Sequence, residues 1–322
     1  MIRFILARLV KAAIILLAIM IFNFLLIHAA PGDPASVMAG EAGATDEKFI
    51  ADLRARFGLD QPFAVQLWIY VKATVQLDLG YSYRQNMPVI DLIWQRLPAT
   101  ILLTMTAFVI ALVLGVIAGV LAAAKQGTWW DTVISTLALL FYATPLFWVA
   151  LMASLLFSVV LGWLPGYGYQ TIGANYTGID RVLDIGRHLI LPATTLGLFF
   201  MAVYMRMTRA SMLEMSRLDF VKTARAKGLS NSVIQRRHVL RNALLPVITL
   251  AGLQAGQIVG GAVLTETVFA WPGIGRLLFE AINQRDYSVL LGVFFVSAAM
   301  VLLFNLITDI LYVLVDPRIR LG

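Results

Sequence analysis

Few residues in this sequence are placed to make or break covalent bonds. There is no cysteine, which excludes disulfides, thiolate catalysis and cysteine-ligated metals. The three histidines, His28, His188 and His238, are scattered without metal-like spacing, so no metal site is expected. No Gly-Lys-Ser/Thr run is present to cradle a nucleotide's phosphates, and no Ser, His and acid set reads as a nucleophilic centre. The chain is therefore expected not to be an enzyme. Its most informative residues are suited to recognition: Asp219-Phe-Val-Lys-Thr-Ala-Arg-Ala-Lys-Gly-Leu-Ser-Asn231. Asp219 is a good helix cap, and Gly228 is a good terminator about two turns later. So short a helix is unstable alone and needs a partner surface. Phe220, Val221 and Ala224 form a small apolar face, while Lys222 and Arg225 are neighbours on a basic side. Two readings stand: an amphipathic helix lying on lipid headgroups, or a docking helix for a cytoplasmic partner. A second helix is expected from Ser232 towards Asn242, capped by Ser230 or Asn231.

A smaller set of polar residues falls inside or beside long apolar runs. A carboxylate within a span costs roughly 3 kcal/mol on insertion scales, so Glu266 and Asp309 are functional candidates by default. Both sit near expected span ends, which favours an interfacial or subunit-contact role. Gln254, Gln257 and Asn305 lie deeper. Lining a pathway and joining helices are equal readings for them. Gly252, Gly256 and Gly260 recur every four residues, as do Gly115 and Gly119, a stripe that lets helices approach closely. An ion-coupled secondary transporter would call for an inverted repeat and a central coupling site. No convincing repeat is seen, and the carboxylates are peripheral.

The elements that must position these residues are spanning helices. The chain is 60% hydrophobic and only 13% charged, with a mean hydropathy of +0.83. A soluble domain carries about 25% charged residues, so lipid is the solvent that such a surface tolerates. We expect an all-α polytopic membrane protein with one transmembrane domain over 1–322. Its six spans fall near 9–29, 100–124, 132–161 (interrupted by Pro145), 189–207, 245–268 and 289–315. The first is too long for a secretory apolar region and reads as an uncleaved span. Arg3, Arg8, Lys11, Arg318, Arg320 and the basic loop 211–245 place both termini and that loop in the cytoplasm. The net charge of +7 then reflects topology and anionic lipid, and spans flanking the basic loop argue against a nucleic-acid partner.

Residues 31–97 become a small external helical segment before a five-span core at 98–315. Within it, Thr45 or Asp46 caps a helix through Arg56 that Gly58 closes, and Pro62 opens another. Trp163, Tyr167 and Tyr169, in an external loop from Gly162 to Gly186, read as an interfacial aromatic belt. Trp271 to Arg276 begins a short re-entrant or interfacial helix with Phe279 and Ile282 on its apolar face.

The 211–245 loop resembles the coupling-helix region, or EAA loop, of ABC importer permeases. The general pattern is Glu-Ala-Ala, three residues, Gly, then a distal Leu-Pro. Here Lys222-Thr223-Ala224 and Gly228 hold those positions, the acidic residue is missing, and Leu245-Pro246 comes several residues late. Both departures are similar to the peptide and nickel importer branch, which Thr223–Leu229 and Leu240–Pro246 match closely. Ala30-Pro-Gly-Asp-Pro34, 53–62, 267–275 and Asp316-Pro-Arg-Ile-Arg320 follow the same branch in order. The resemblance covers nearly the whole chain and lies nearest the B-type dipeptide permeases.

It implies a permease subunit of an ATP-driven importer in the bacterial inner membrane. The cargo would be dipeptides or oligopeptides, with nickel chelates or glutathione as the alternative. The implied partners are a homologous second permease, two ATPase subunits and a soluble or lipid-anchored binding protein. No cofactor would sit on this chain; ATP and Mg would be held by the ATPases. Phe220, Val221, Lys222, Thr223, Ala224, Arg225, Ala226, Lys227 and Gly228 would couple to them. The basic side and the small Ala224 and Ala226 would enter an acidic cleft. The Gly252, Gly256 and Gly260 stripe would meet the second permease, and the loop after Gly162 has a second reading, as a contact to the binding protein.

Overall fold

Backbone groups in lipid must bond within their own segment, so long apolar runs fold as long helices. The computed structural model describes residues 2–29, 39–40, 46–57 and 60–315. In chain order these form α1 (Ile2–Ala29), α2 (Glu47–Phe57), α3 (Phe63–Val75), a hairpin of β1 (Tyr81–Ser82) and β2 (Met87–Pro88), and α4 (Val89–Ala124). There follow α5 (Trp129–Ala143), α6 (Leu146–Ser154) with a π-helical extension at Leu155–Val160, α7 (Gly178–Met215) and α8 (Asp219–Ala226). A turn at Asn231–Val233 and a π-helical stretch at Ile234–Val239 lead into α9 (Leu240–Val268), followed by α10 (Ile274–Gln284) and α11 (Tyr287–Val315).

Among the described residues, α1, α4, α7 and α11 are long and apolar enough to cross a membrane, and α5 with α6 forms a fifth candidate bent by 101°. The bend is written in the sequence. A proline disfavours the helical region for the residue before it, and Thr144 accordingly takes φ −81° and ψ 135° ahead of Pro145. The 29-residue α9 covers the expected fifth span, although the side chains of 253 and 255–261 lie outside the described residues.

Two boundaries differ from expectation. The external segment drawn to residue 97 ends inside α4, which starts at Val89 and runs through Pro98. Buried Val89, Leu92 and Ile93 pack with Leu277, Ala281 and Val293, so tertiary contacts extend the helix below the apolar stretch. The span expected at 189–207 is the middle of a 38-residue helix, α7. At its early end Asp184 accepts hydrogen bonds from the Thr171 backbone N–H and hydroxyl, both at 2.7 Å, so polar residues are held in helix beyond the apolar core.

α4 and α7 form the centre of the bundle. Gly115 and Gly119 let the two backbones close: a Cβ on either would fall 2.5 Å from Tyr204 Cβ or Thr208 Cβ. Leu103, Ala107, Ala111, Leu196, Phe200 and Tyr204 fill the space between them. The hairpin, with Tyr81 opposite Pro88, is a small β element absent from the sequence reading. It docks on the α10–α11 turn, where the Ser82 hydroxyl donates to Asp286, which also accepts from Val289 N at the start of α11. Asp46 caps α2 by accepting from Lys48 N at 3.1 Å. Thr45, Gly58 and the motifs at 30–34 and 316–320 lie outside the described residues.

Candidate functional site

The loop singled out by sequence folds as a short helix held against the end of α7. Residues Asp219 to Ala226 form α8, with Leu218 at the N-cap. Asp219 thus sits one place later than expected. Its carboxylate accepts from Lys222 Nζ at 2.8 Å in an exposed pair. Val221 and Ala224 are buried with Met212, Ile234, Val239 and Ala243, and Phe220 packs against their edge. This internal cluster is the partner surface that so short a helix requires.

Lys222, Thr223, Arg225, Ala226, Lys227 and Gly228 face outward. Of the two alanines expected to meet a partner, Ala226 is on that side, and Ala224 is on the inner face because the helical repeat aligns it with Val221. The end of α8 is a complete Schellman motif: Gly228 N donates to Arg225 O and Leu229 N to Ala224 O. Gly228 has φ +78° with open space around it, so it is required for backbone conformation and not for packing. The second helix of the loop is continuous with α9, so Pro246 lies within a helix instead of opening one. The π-helical lead-in carries exposed Arg236 and Arg237. Below it, Arg209 on α7 donates two hydrogen bonds of 2.7 Å to Asp131 at the start of α5. Sequence reading missed this bridge because its partners lie 78 residues apart.

At the other end of the bundle, Glu266 is fully buried inside the chain. The expectation of an interfacial or subunit-contact carboxylate is corrected. Its Oε1 accepts from the Thr100 hydroxyl at 2.7 Å, and its Oε2 accepts from Arg276 N at 3.0 Å. The same Thr100 oxygen accepts from Ile274 N at 2.8 Å. Two amides in the first turn of α10, which that helix cannot satisfy itself, are therefore bonded to α9 and α4. Gly273 and Gly275 wrap the carboxylate so closely that a Cβ on Gly273 would lie 2.2 Å from Glu266 Cδ. Trp271 donates from Nε1 to Ala99 O at 2.8 Å, and Tyr169 packs edge-on to its ring at 4.9 Å. Tyr169 thus belongs to the core, unlike the exposed Trp163 and Tyr167. The expected α10 forms, with Ile274, Leu277 and Ala281 as its buried face and Phe279 and Ile282 exposed.

The remaining polar positions are dispersed. Gln254 and Gly252 are half-buried in α9, and Gln254 Oε1 is buried without a bonded partner among the described residues. Asn305 is exposed on α11. The side chains of Gln257 and Asp309 and the surroundings of Gly256 and Gly260 lie outside the described residues.

Known proteins place this architecture. Two family models match in succession: the N-terminal membrane component of binding-protein-dependent transport systems over residues 1–104, and the inner membrane component of such systems over residues 115–321. The dipeptide transport system permease protein DppB of Alkalihalophilus pseudofirmus is 42% identical, over 99% of this chain and 100% of its own. DppB of Escherichia coli K12 is 41% identical over 99% of both. Among solved structures, an inward-facing MetNI methionine ABC transporter chain superposes with a TM-score of 0.55 at 18% identity, over 70% of this chain and 96% of its own. An amino acid ABC transporter reaches 0.51 at 15% identity, over 69% and 93%. Helices that cross a membrane repeatedly and end-to-end family matches agree: the chain belongs to the multi-pass inner membrane components of binding-protein-dependent transport systems.

Proposed function

We propose that this chain is the permease subunit of an ATP-driven importer of dipeptides or oligopeptides. The observation that carries the reading is its end-to-end similarity to dipeptide permeases. In this reading α9 completes six spans and both termini are cytoplasmic, as is the α8 end. The chain forms half of a pathway with a homologous second permease. A binding protein delivers cargo at the hairpin end, and two ATPase subunits lie beneath α8. The outward side of α8, with Lys222, Arg225, Ala226 and Lys227, supports docking into an acidic ATPase cleft. Its inward side, Val221 and Ala224, passes the displacement to α7 and α9. Gln254, at its buried depth, fits a polar point on the pathway. ATP and Mg belong to the ATPase chains.

The natural absence of cysteine makes the docking test direct. In the assembled transporter, Ala226→Cys is expected to cross-link to a single cysteine in the ATPase cleft, with a yield that changes on adding ATP. Cross-linking that is absent in every nucleotide state, from a complex that still transports, would remove α8 from the interface.

A further inference from the structure

Arg206 lies in the apolar part of α7, where a cation is costly unless a partner or water receives it. Its neighbour Arg209 reaches the Asp131 carboxylate at the start of α5. Arg206 reaches the opposite way. Its guanidinium carbon is 5.1 Å from the centre of the Tyr142 ring, near the end of α5. Asp131 and Tyr142 are separated by about 16 Å of helix axis at 1.5 Å per residue. Helical side chains lean towards the N-terminus of their helix, and α7 runs antiparallel to α5, so the arginine extends away from the Asp131 level towards the Tyr142 ring.

The ring that receives it is itself fixed. Tyr142 stacks on Phe199 of α7 with ring centres 5.4 Å apart and 24° between planes. A ring occupies the flat face of a guanidinium. The edge, which carries the N–H donors, stays free, and that edge binds a carboxylate through two parallel hydrogen bonds. Arg206 is exposed, and no ion pair among the described residues uses it.

We infer that Arg206, seated on the Tyr142–Phe199 stack, binds the C-terminal carboxylate of the transported peptide at the α5–α6 bend. The inference rests on the peptide-importer reading above. A lipid phosphate would draw the guanidinium towards the headgroup level marked by Arg209, and the observed direction is inward. The ring lies two residues before the break at Thr144–Pro145, and broken helices are where transporters hold anionic substrate groups.

The test uses the complete transporter with its binding protein and ATP in proteoliposomes of phosphatidylethanolamine, with and without phosphatidylglycerol. Uptake of a dipeptide is compared with uptake of its C-terminal amide, each at saturation of the binding protein. Arg206→Gln is expected to lower free-acid uptake about tenfold, the worth of a charge-assisted pair, and to change amide uptake by less than about twofold. Arg206→Lys should fall between wild type and Arg206→Gln. Tyr142→Leu should lose free-acid uptake selectively, and Tyr142→Phe should retain it. Equal loss for both peptides would mean a structural role and overturn the assignment. So would a dependence on phosphatidylglycerol in wild type that Arg206→Gln abolishes, because that marks a headgroup anchor. Wild-type uptake of neither peptide overturns the importer reading and this one with it; normal uptake by Arg206→Gln overturns this one alone. If Arg206→Gln fails to assemble by size-exclusion chromatography, Arg206→Lys and Tyr142→Leu decide by the same free-acid selectivity.

Discussion

A buried carboxylate is stable only while both its oxygens keep donors. Glu266 has the Thr100 hydroxyl on one oxygen and the Arg276 amide on the other. Replacing it with alanine strands both donors, and we expect a loss of about 3 kcal/mol in unfolding free energy, read by denaturation in detergent micelles. Glu266→Gln should lose less, since its carbonyl oxygen still accepts one bond. Gly273→Ala should be as damaging as either, although no partner is removed, because its Cβ has no room beside the carboxylate. Wild-type stability in Gly273→Ala would show that the cradle can relax. The Asp131 and Arg209 bridge makes a separate case. Asp131→Ala and Arg209→Ala should each destabilise, and the double variant should lose about 1 kcal/mol less than their sum if the two act as a pair. None of these partnerships follows from residue type alone. Glu266 is visible in the sequence as a carboxylate near an apolar run, but Thr100 lies 166 residues away, and only folding joins them.

Among the elements, α8 and the α4–α7 pair illustrate what local sequence can specify. The α8 helix was legible because its ends are set locally: the Schellman termination needs a left-handed residue, and Gly228 supplies it. Gly228→Val should therefore weaken the helix end by about 1 kcal/mol or more and lower uptake. Gly228→Asn, which tolerates the left-handed region, should be nearly neutral. Uptake rates in membrane vesicles separate the two; equal behaviour would place the need for glycine elsewhere. The bend at Pro145 was legible for the same local reason. The extents of α4 and α7 were not. Hydropathy registers the lipid-depth part of a helix and misses ends whose polar groups are satisfied by distant partners, as at Asp184. The glycine stripe in α4 makes a further prediction: Gly119→Leu should force α4 and α7 apart and cost about 2 kcal/mol from overpacking, read as lost thermal stability of the purified subunit.

At the scale of the whole molecule, composition identified a membrane solvent, and motif order along the chain identified the family. What it could not supply was how the two ends of the bundle are joined. That answer is α7. Its 38 residues, Pro192 among them, rise about 57 Å along the helix, against a hydrocarbon core of about 30 Å. One end is pinned by Asp184 to the loop after α6, and the other carries the Met212 contact beneath α8. In the importer proposed above, a helix that outreaches its bearing on both sides would act as a lever, with Pro192 as the point inside it where one backbone hydrogen bond is missing. A tilt of about 5° about its middle moves each tip by about 2.5 Å, roughly half a helical pitch. In that reading the helix would transmit displacement and not chemistry, so its stiffness would matter more than the identity of its exposed residues. Glycine pairs in its mid-section would leave both ends folded, yet let the rod flex where it should swing.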